Sequence, residues 1–384
     1  MYYFDTKEQI LADEAFNKED YQTALKHYKT ALTNLNRQIA AERKPTKVLP
    51  YPVAYVLVEI CLTLAEILAN LDYEKPIAAK IDGLLADFTQ HFSEVSQLMA
   101  TSPLRKDHER DLSQKLQTAK TVVYDSAQIS SWNRADFLTS ENLVLSEQFE
   151  ALEEALSELE RCRTFINILC QTDNKERKKD IIQICEKEAE IHEKLSDLYV
   201  DLANDSTPNE RFIQGNATSI YYFEQALSEN QKSLKIQLNL QPRKVPIHLH
   251  LDYLNIQALL FKFSKKQEYL LEITRYIHVY QLNSINGDND QNMELKIFQF
   301  LVANESNPRR LQEANTLAKE IIKYDEIQEN EDLQKGYEAA KDFLSNPNNK
   351  LYYTTQYAKN LMFQTSSEQK SEETGDYMEL CNDL

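Results

Sequence analysis

The sequence predicts an all-α protein, and three observations carry that expectation. Glycine is scarce, with five residues where the usual share of ~7% would give about 27 in a chain of 384. Apolar residues recur at spacings of three and four over long stretches. The breakers fall between those stretches, at Pro45, Pro50, Pro103, Pro208, Gly215, Pro242, Pro246, Gly287, Pro308 and Pro347, where a missing N–H or a left-handed turn ends a helix. Helices are expected near residues 5–17, 20–43, 51–71, 74–99, 104–128, 134–171, 176–204, 217–240, 247–264, 266–282, 291–304, 309–328, 331–345 and 351–364, and no strand is expected.

The first two elements form a pair. Leu11, Ala12 and Ala15 on one helix face Ala24, Tyr28 and Ala31 on the next, with a polar turn from Asn17 to Tyr21 between them. Small residues at these spacings let two helices approach closely. The third element, from Tyr51 to Leu71, is apolar enough to span a bilayer, but Glu59, Thr63, Glu66 and Asn70 share one stripe. It is expected to be a soluble core helix with that stripe as its solvated edge, and no integral membrane span is expected. In the 134–171 element, Leu145, Phe149, Leu152, Leu156 and Leu159 make a seam for lengthwise packing. The expected partner is the 176–204 helix, giving a long helical hairpin in the middle of the chain. Further on, Leu195, Ser196 and Tyr199 are matched with Ala226, Asn230 and Ser233, and pairs of suitable length occupy 247–282 and 291–328. The expected organisation is an N-terminal helical region over 1–103, the hairpin or bundle over 104–204, a C-terminal helical region over 205–364 and a flexible acidic tail over 365–384.

The N-terminal pair resembles a tetratricopeptide repeat: its leucine lies thirteen residues before the Ala-x3-Tyr pair, and the small residues fall where the two helices nearly touch. It departs from the family in carrying Glu8 at the usual tryptophan position and Ala15 at the usual tyrosine. The second pair resembles the same repeat with a connection eighteen residues too long. The resemblance implies antiparallel helix pairs in a TPR-like solenoid or helical bundle. It further implies partner-facing positions at Gln9, Asp13 and Phe16 in the first pair, and at Glu193, Asp197 and Val200 in the second. Aspartate at the same place in both argues for a protein partner that offers a basic or polar segment.

Several chemistries are excluded on spacing. The isolated glycines cannot build GxGxxG, GxxxxGK[ST] or GxSxG, each of which needs paired glycines around a ligand or a sharp turn. The five cysteines form no CxxC pair and read as reduced thiols, with Cys61 buried and inert. Neither His-Glu-x-x-His nor Glu-x-x-His occurs, and His248 and His250 are expected to point apart on a helix that begins after Pro246. Asp288-Asn289-Asp290 lacks the later ligands of a calcium loop. No cofactor, metal or catalytic residue is assigned. A net charge of −18 repels phosphate backbones, so nucleic acid is not an expected partner.

The tail differs from the rest, its acidic residues outnumbering basic ones six to one between Thr365 and Leu384. Glu368, Glu372 and Glu373 precede a short segment containing Leu380 and ending at Leu384, which resembles the C-terminal signal of type IVB secretion effectors from intracellular bacteria. That resemblance implies virulence-related delivery from a bacterium into the host cytoplasm. Three readings stay open. The first is a non-enzymatic scaffold for protein–protein interaction, delivered as an effector. The second is an effector enzyme with catalytic residues scattered over 104–204, and the third a cytoplasmic bacterial adaptor or secretion chaperone. The fold class favours binding over chemistry.

Overall fold

The computed structural model describes residues 6–41, 50–101, 106–140, 145–169, 175–206, 213–241, 245–282, 289–306, 311–324 and 331–346. Within them the chain is all-α and contains no strand. It divides into two compact units, Met1–Ile191 and His192–Leu384, and the division falls inside one helix.

In the first unit, α1 (Thr6–Asn17) and α2 (Tyr21–Ala41) pair through the residues the repeat pattern singled out: Ala12, Ala15, Ala24, Tyr28 and Ala31 are all buried. The turn between them is tight because Glu19 adopts a left-handed backbone with φ 62°. Next, α3 (Pro50–Ala69) packs against α2, α4 (Ala78–Thr101) and α5 (Lys106–Ser140), so that apolar residues from Val53 to Leu68 are buried almost without interruption. By length and composition α3 could cross a membrane, yet most of it is enclosed by these neighbours. Its polar stripe is not the solvated edge expected. Thr63 is fully buried and donates its hydroxyl to the Glu59 carbonyl at 2.7 Å, while the Glu59 carboxylate lies 3.6 Å from Lys115 Nζ on α5. Asn70 does reach solvent.

Two further expectations need correction. The break placed between 128 and 134 does not exist, since α5 runs unbroken through Ile129–Asn133. Ser130 and Ser131 look like breakers locally, but both are buried, and Ser130 Oγ donates to the Leu68 carbonyl at the end of α3 (2.8 Å). One turn later Arg134 NH1 donates to the carbonyls of Tyr73 and Glu74 in the α3–α4 turn, at 3.2 and 2.9 Å. That turn, with Pro76 in it, also delays the start of α4 from residue 74 to Ala78. The expected hairpin between the 134–171 and 176–204 elements gives way to a different one, in which α6 (Leu145–Leu169) packs along α5. Its seam buries Ala151, Leu152, Ala155, Leu159 and Cys162, and Arg134 forks onto Glu154 across the hairpin at 2.9 and 3.2 Å. The following helix, α7 (Lys175–Asp205), reaches this pair through Arg163–Glu188 (2.5 Å) and Lys187–Asp136 (3.0 Å).

The second unit starts with the C-terminal part of α7 and continues through α8 (Ile213–Leu240), α9 (Ile247–Ser264), α10 (Gln267–Val279), α11 (Asn289–Ser306), α12 (Leu311–Ile321) and α13 (Glu331–Ser345). Helix α9 meets α8, α10 and α11, and α11 meets α12 and α13 in turn. Its apolar residues gather in separate clusters, one at α7–α9 around Phe223, one over α8–α11 around Leu254 and Ile273, and one at α11–α13 around Phe300. Gly336 on α13 lies so close to Ile297 of α11 that a Cβ would collide with that side chain, which gives this glycine a packing reason. The helix expected at 351–364 and the whole acidic tail, with Glu368, Glu372, Glu373, Leu380 and Leu384, lie outside the described residues.

Candidate partner-binding site

The two sets of repeat-derived positions meet different fates. On α1, the Asp13 carboxylate accepts a hydrogen bond from the Tyr28 hydroxyl at 2.5 Å, so it joins the α1–α2 interface. Phe16 is half-buried against the same core and meets Tyr21 edge-on with centroids 5.3 Å apart. Gln9 is half-buried one turn before Asp13. The neighbouring pair Glu8–His27, 2.7 Å apart, ties the two helices further. These residues mainly hold the pair together.

In the second unit the expected α7–α8 contact is present. Ser196 is buried and its hydroxyl donates to the Ala226 carbonyl at 3.0 Å, Leu195 is buried beside it, and the rings of Tyr199 and Tyr222 lie 6.4 Å apart. His192 Nδ1 sits 2.7 Å from Glu229 Oε2, and Lys232 Nζ donates to Glu229 Oε1 at 2.6 Å. Burial works against the Glu229 charge, but these two partners hold its carboxyl below the usual range. Val200 is half-buried against the apolar cluster around Phe223.

Glu193 and Asp197 behave differently. Glu193 Oε1 pairs with His248 Nε2 of α9 at 3.2 Å. Asp197 follows one turn later and Asp201 a turn after that, both exposed, while Asp252 follows His248 by one turn on α9 and is half-buried. Three carboxylates, Glu193, Asp197 and Asp252, thus act on one imidazole, with Asp201 beside Asp197. Loss of water around its carboxyl, then repulsion from Glu193 and Asp201, pushes Asp197 up to about 6, with His248 only partly offsetting this. Burial, then Asp197, pushes Asp252 up to about 7. His248 is raised in turn, first by its hydrogen bond to Glu193. The cluster therefore carries negative potential that its single cation does not match.

His250 points away from His248, as the helical spacing predicts. It is buried, its Nδ1 lies 2.9 Å from the Tyr276 hydroxyl, and desolvation holds its pKa near 4, so it is neutral at pH 7. Tyr253 stacks on Tyr276 with centroids 4.0 Å apart, and Gln257 donates to the Tyr253 hydroxyl at 3.0 Å. Among the described residues no cluster of His, Cys, Asp and Glu has the arrangement of a metal site. Cys61 and Cys162 are buried, and burial pushes both thiols up to about 12, which leaves them protonated and unreactive at neutral pH.

The sequence reading located Glu193 and Asp197 but missed Asp201, His248 and Asp252 as members of the same site. The i+4 spacing after Asp197 and after His248 was the available signal; the meeting of α7 with α9 was not in it. Fold and site together define an all-α protein of packed helix pairs with an acidic, histidine-bridged contact in its second unit. Compared with known protein families, characterised proteins and solved structures, the chain matches none.

Proposed function

We propose that this chain is a non-enzymatic helical scaffold that binds a protein partner, and that the acidic contact between α7 and α9 receives a basic segment of that partner. The observation that supports it is the charge excess at Glu193, Asp197, Asp201 and Asp252 around His248. A lysine or arginine brought against exposed Asp197 and Asp201 would relieve the repulsion from Glu193 and Asp201 that helps raise the Asp197 carboxyl, so association gains from a cost already present in the free protein. Asp13 has no such role in this proposal, because its carboxylate is held by Tyr28.

The proposal extends to delivery. The glutamates and terminal leucine of the tail, Glu368, Glu372, Glu373, Leu380 and Leu384, support a bacterial effector translocated into the host cytoplasm by type IV secretion. The experiment has two arms. Affinity purification from host lysate should lose its partner when Asp197→Lys and Asp201→Lys are combined, with the melting temperature unchanged; equal recovery would reject the site. A reporter fused to the chain should enter host cells, and removal of 365–384 should stop it; undiminished entry would reject the signal.

A further inference from the structure

The first unit carries a surface of the opposite character. Helix α2 has no acidic residue among its 21, and Lys26, Lys29 and Arg37 are its side chains of fixed charge, in a chain whose net charge is −18. Its inner face, Ala24, Tyr28, Ala31 and Leu35, is consumed by the core. On the outer face Gln22, Lys26, Thr30, Thr33 and Arg37 follow one another at helical spacing, and all five are exposed. This face is an open surface lined by α2 side chains alone. Lys29 Nζ is anchored to Asp87 of α4 at 2.7 Å, whereas no carboxylate among the described residues pairs with Lys26 or Arg37. The hydroxyls of Thr30 and Thr33 donate to carbonyls one turn back, both at 2.9 Å, so the donors left facing outward are mainly cationic.

We infer that the outer face of α2 is a docking surface for an acidic peptide segment of a protein partner, with carboxylates meeting Lys26 and Arg37. These cations are three turns apart, ~16 Å along the axis at 1.5 Å per residue. An acidic helix spans that distance in three turns, and an extended segment in about five residues. A short segment feels the local cations within a Debye length of ~8–10 Å, whereas a long polyphosphate also meets the repulsive field of the whole chain. A membrane is the poorer occupant, because no large apolar side chain of α2 is exposed for insertion. The surface lies in a different unit from the acidic contact and is independent of it.

Panning random phage-displayed dodecapeptides on the full-length protein, then measuring the enriched peptides by fluorescence anisotropy, tests this directly. An acidic class of peptides should be enriched, should weaken with added salt, and should lose at least about tenfold in affinity to Lys26→Glu combined with Arg37→Glu. Lys26→Ala with Arg37→Ala, a milder pair, should weaken the same peptides without changing the melting temperature. Asp197→Lys with Asp201→Lys should leave them bound as before. The inference is overturned if no acidic peptide is enriched, or if either α2 pair binds the acidic peptides like the parent. It is also overturned if phosphatidylserine vesicles or a short single-stranded DNA bind this face more tightly than any peptide.

Discussion

Around α3, Thr63 donates to Glu59, Ser130 to Leu68, and Arg134 to two carbonyls and the Glu154 carboxylate, while farther along α5 and α6 the buried Ser131 hydroxyl and one Glu158 oxygen have no hydrogen-bond partner among the described residues. Around α8 and α9 the unpaired polar atoms are accompanied by excess charge. Asn230, Ser233 and Gln257 are buried, and each leaves one polar atom without a hydrogen-bond partner. In the same unit, the carboxylates of Glu193, Asp197 and Asp252 share His248. The Arg134 network of the first region holds the fold, while the second carries carboxylates crowded around His248 whose charge binding can use.

Removing the clamp of the first region should have the largest effect. Arg134→Ala breaks the link among α5, α6 and the α3–α4 turn, and it should lower stability by about 3 kcal/mol or more in denaturant unfolding. A loss under 1 kcal/mol would erase the contrast between the regions. Gly336→Ala asks whether close packing is confined to α3. Its new methyl meets the stiff branch of Ile297, and the melting temperature should fall with a loss of about 1–3 kcal/mol.

The contrast sharpens further with pH. Asp252 is held near 7 against an ordinary value of 3.8, so its contribution to stability is full below the ordinary value and is lost as pH rises through about 7. His250 has the opposite sign: held near 4 against 6.5, it contributes fully above 6.5, and that is lost as pH falls through about 4. The two oppose one another in the parent. Asp252→Asn should therefore gain stability relative to the parent as pH is raised from 5 to 8, whereas His250→Gln should gain relative to the parent as pH is lowered. Thermal melts of the three proteins across that range check both signs, and a flat difference for Asp252→Asn would mean that its carboxyl is not crowded.

The fold class was legible because glycine scarcity and helical periodicity are local properties that agree along the chain. Partners were less legible. The gap left between the expected helices 104–128 and 134–171 is filled by α5, where the acceptor that holds Ser130 lies 62 residues earlier, at Leu68. The leucine seam of α6 announced lengthwise packing but did not name α5. The acidic site was half visible: Glu193 and Asp197 share a helix face, but Asp252 and His248 arrive from another helix. Helix ends held another surprise, since Glu19, Lys265 and Gln281 take left-handed backbones with φ 62°, 57° and 49°. In Lys265 this closes α9, its N–H donating to the Phe261 carbonyl at 2.8 Å. Lys265→Gly should relieve the Cβ strain and raise stability by about 0.5–1 kcal/mol, the smallest effect expected here; a lower melting temperature would show that the lysine side chain contributes more than its backbone costs.

The unmatched charge between α7 and α9 is tested most directly by counting protons. A lysine-rich peptide titrated into the protein near pH 6.5, in buffers of different ionisation enthalpy, reports by calorimetry the protons exchanged on binding. Cationic groups against Asp197 and Asp252 should pull both carboxyls down from about 6 and about 7, so binding should release protons, and Asp197→Asn with Asp252→Asn should abolish the release. Binding with no proton release, or no binding at all, would contradict the account.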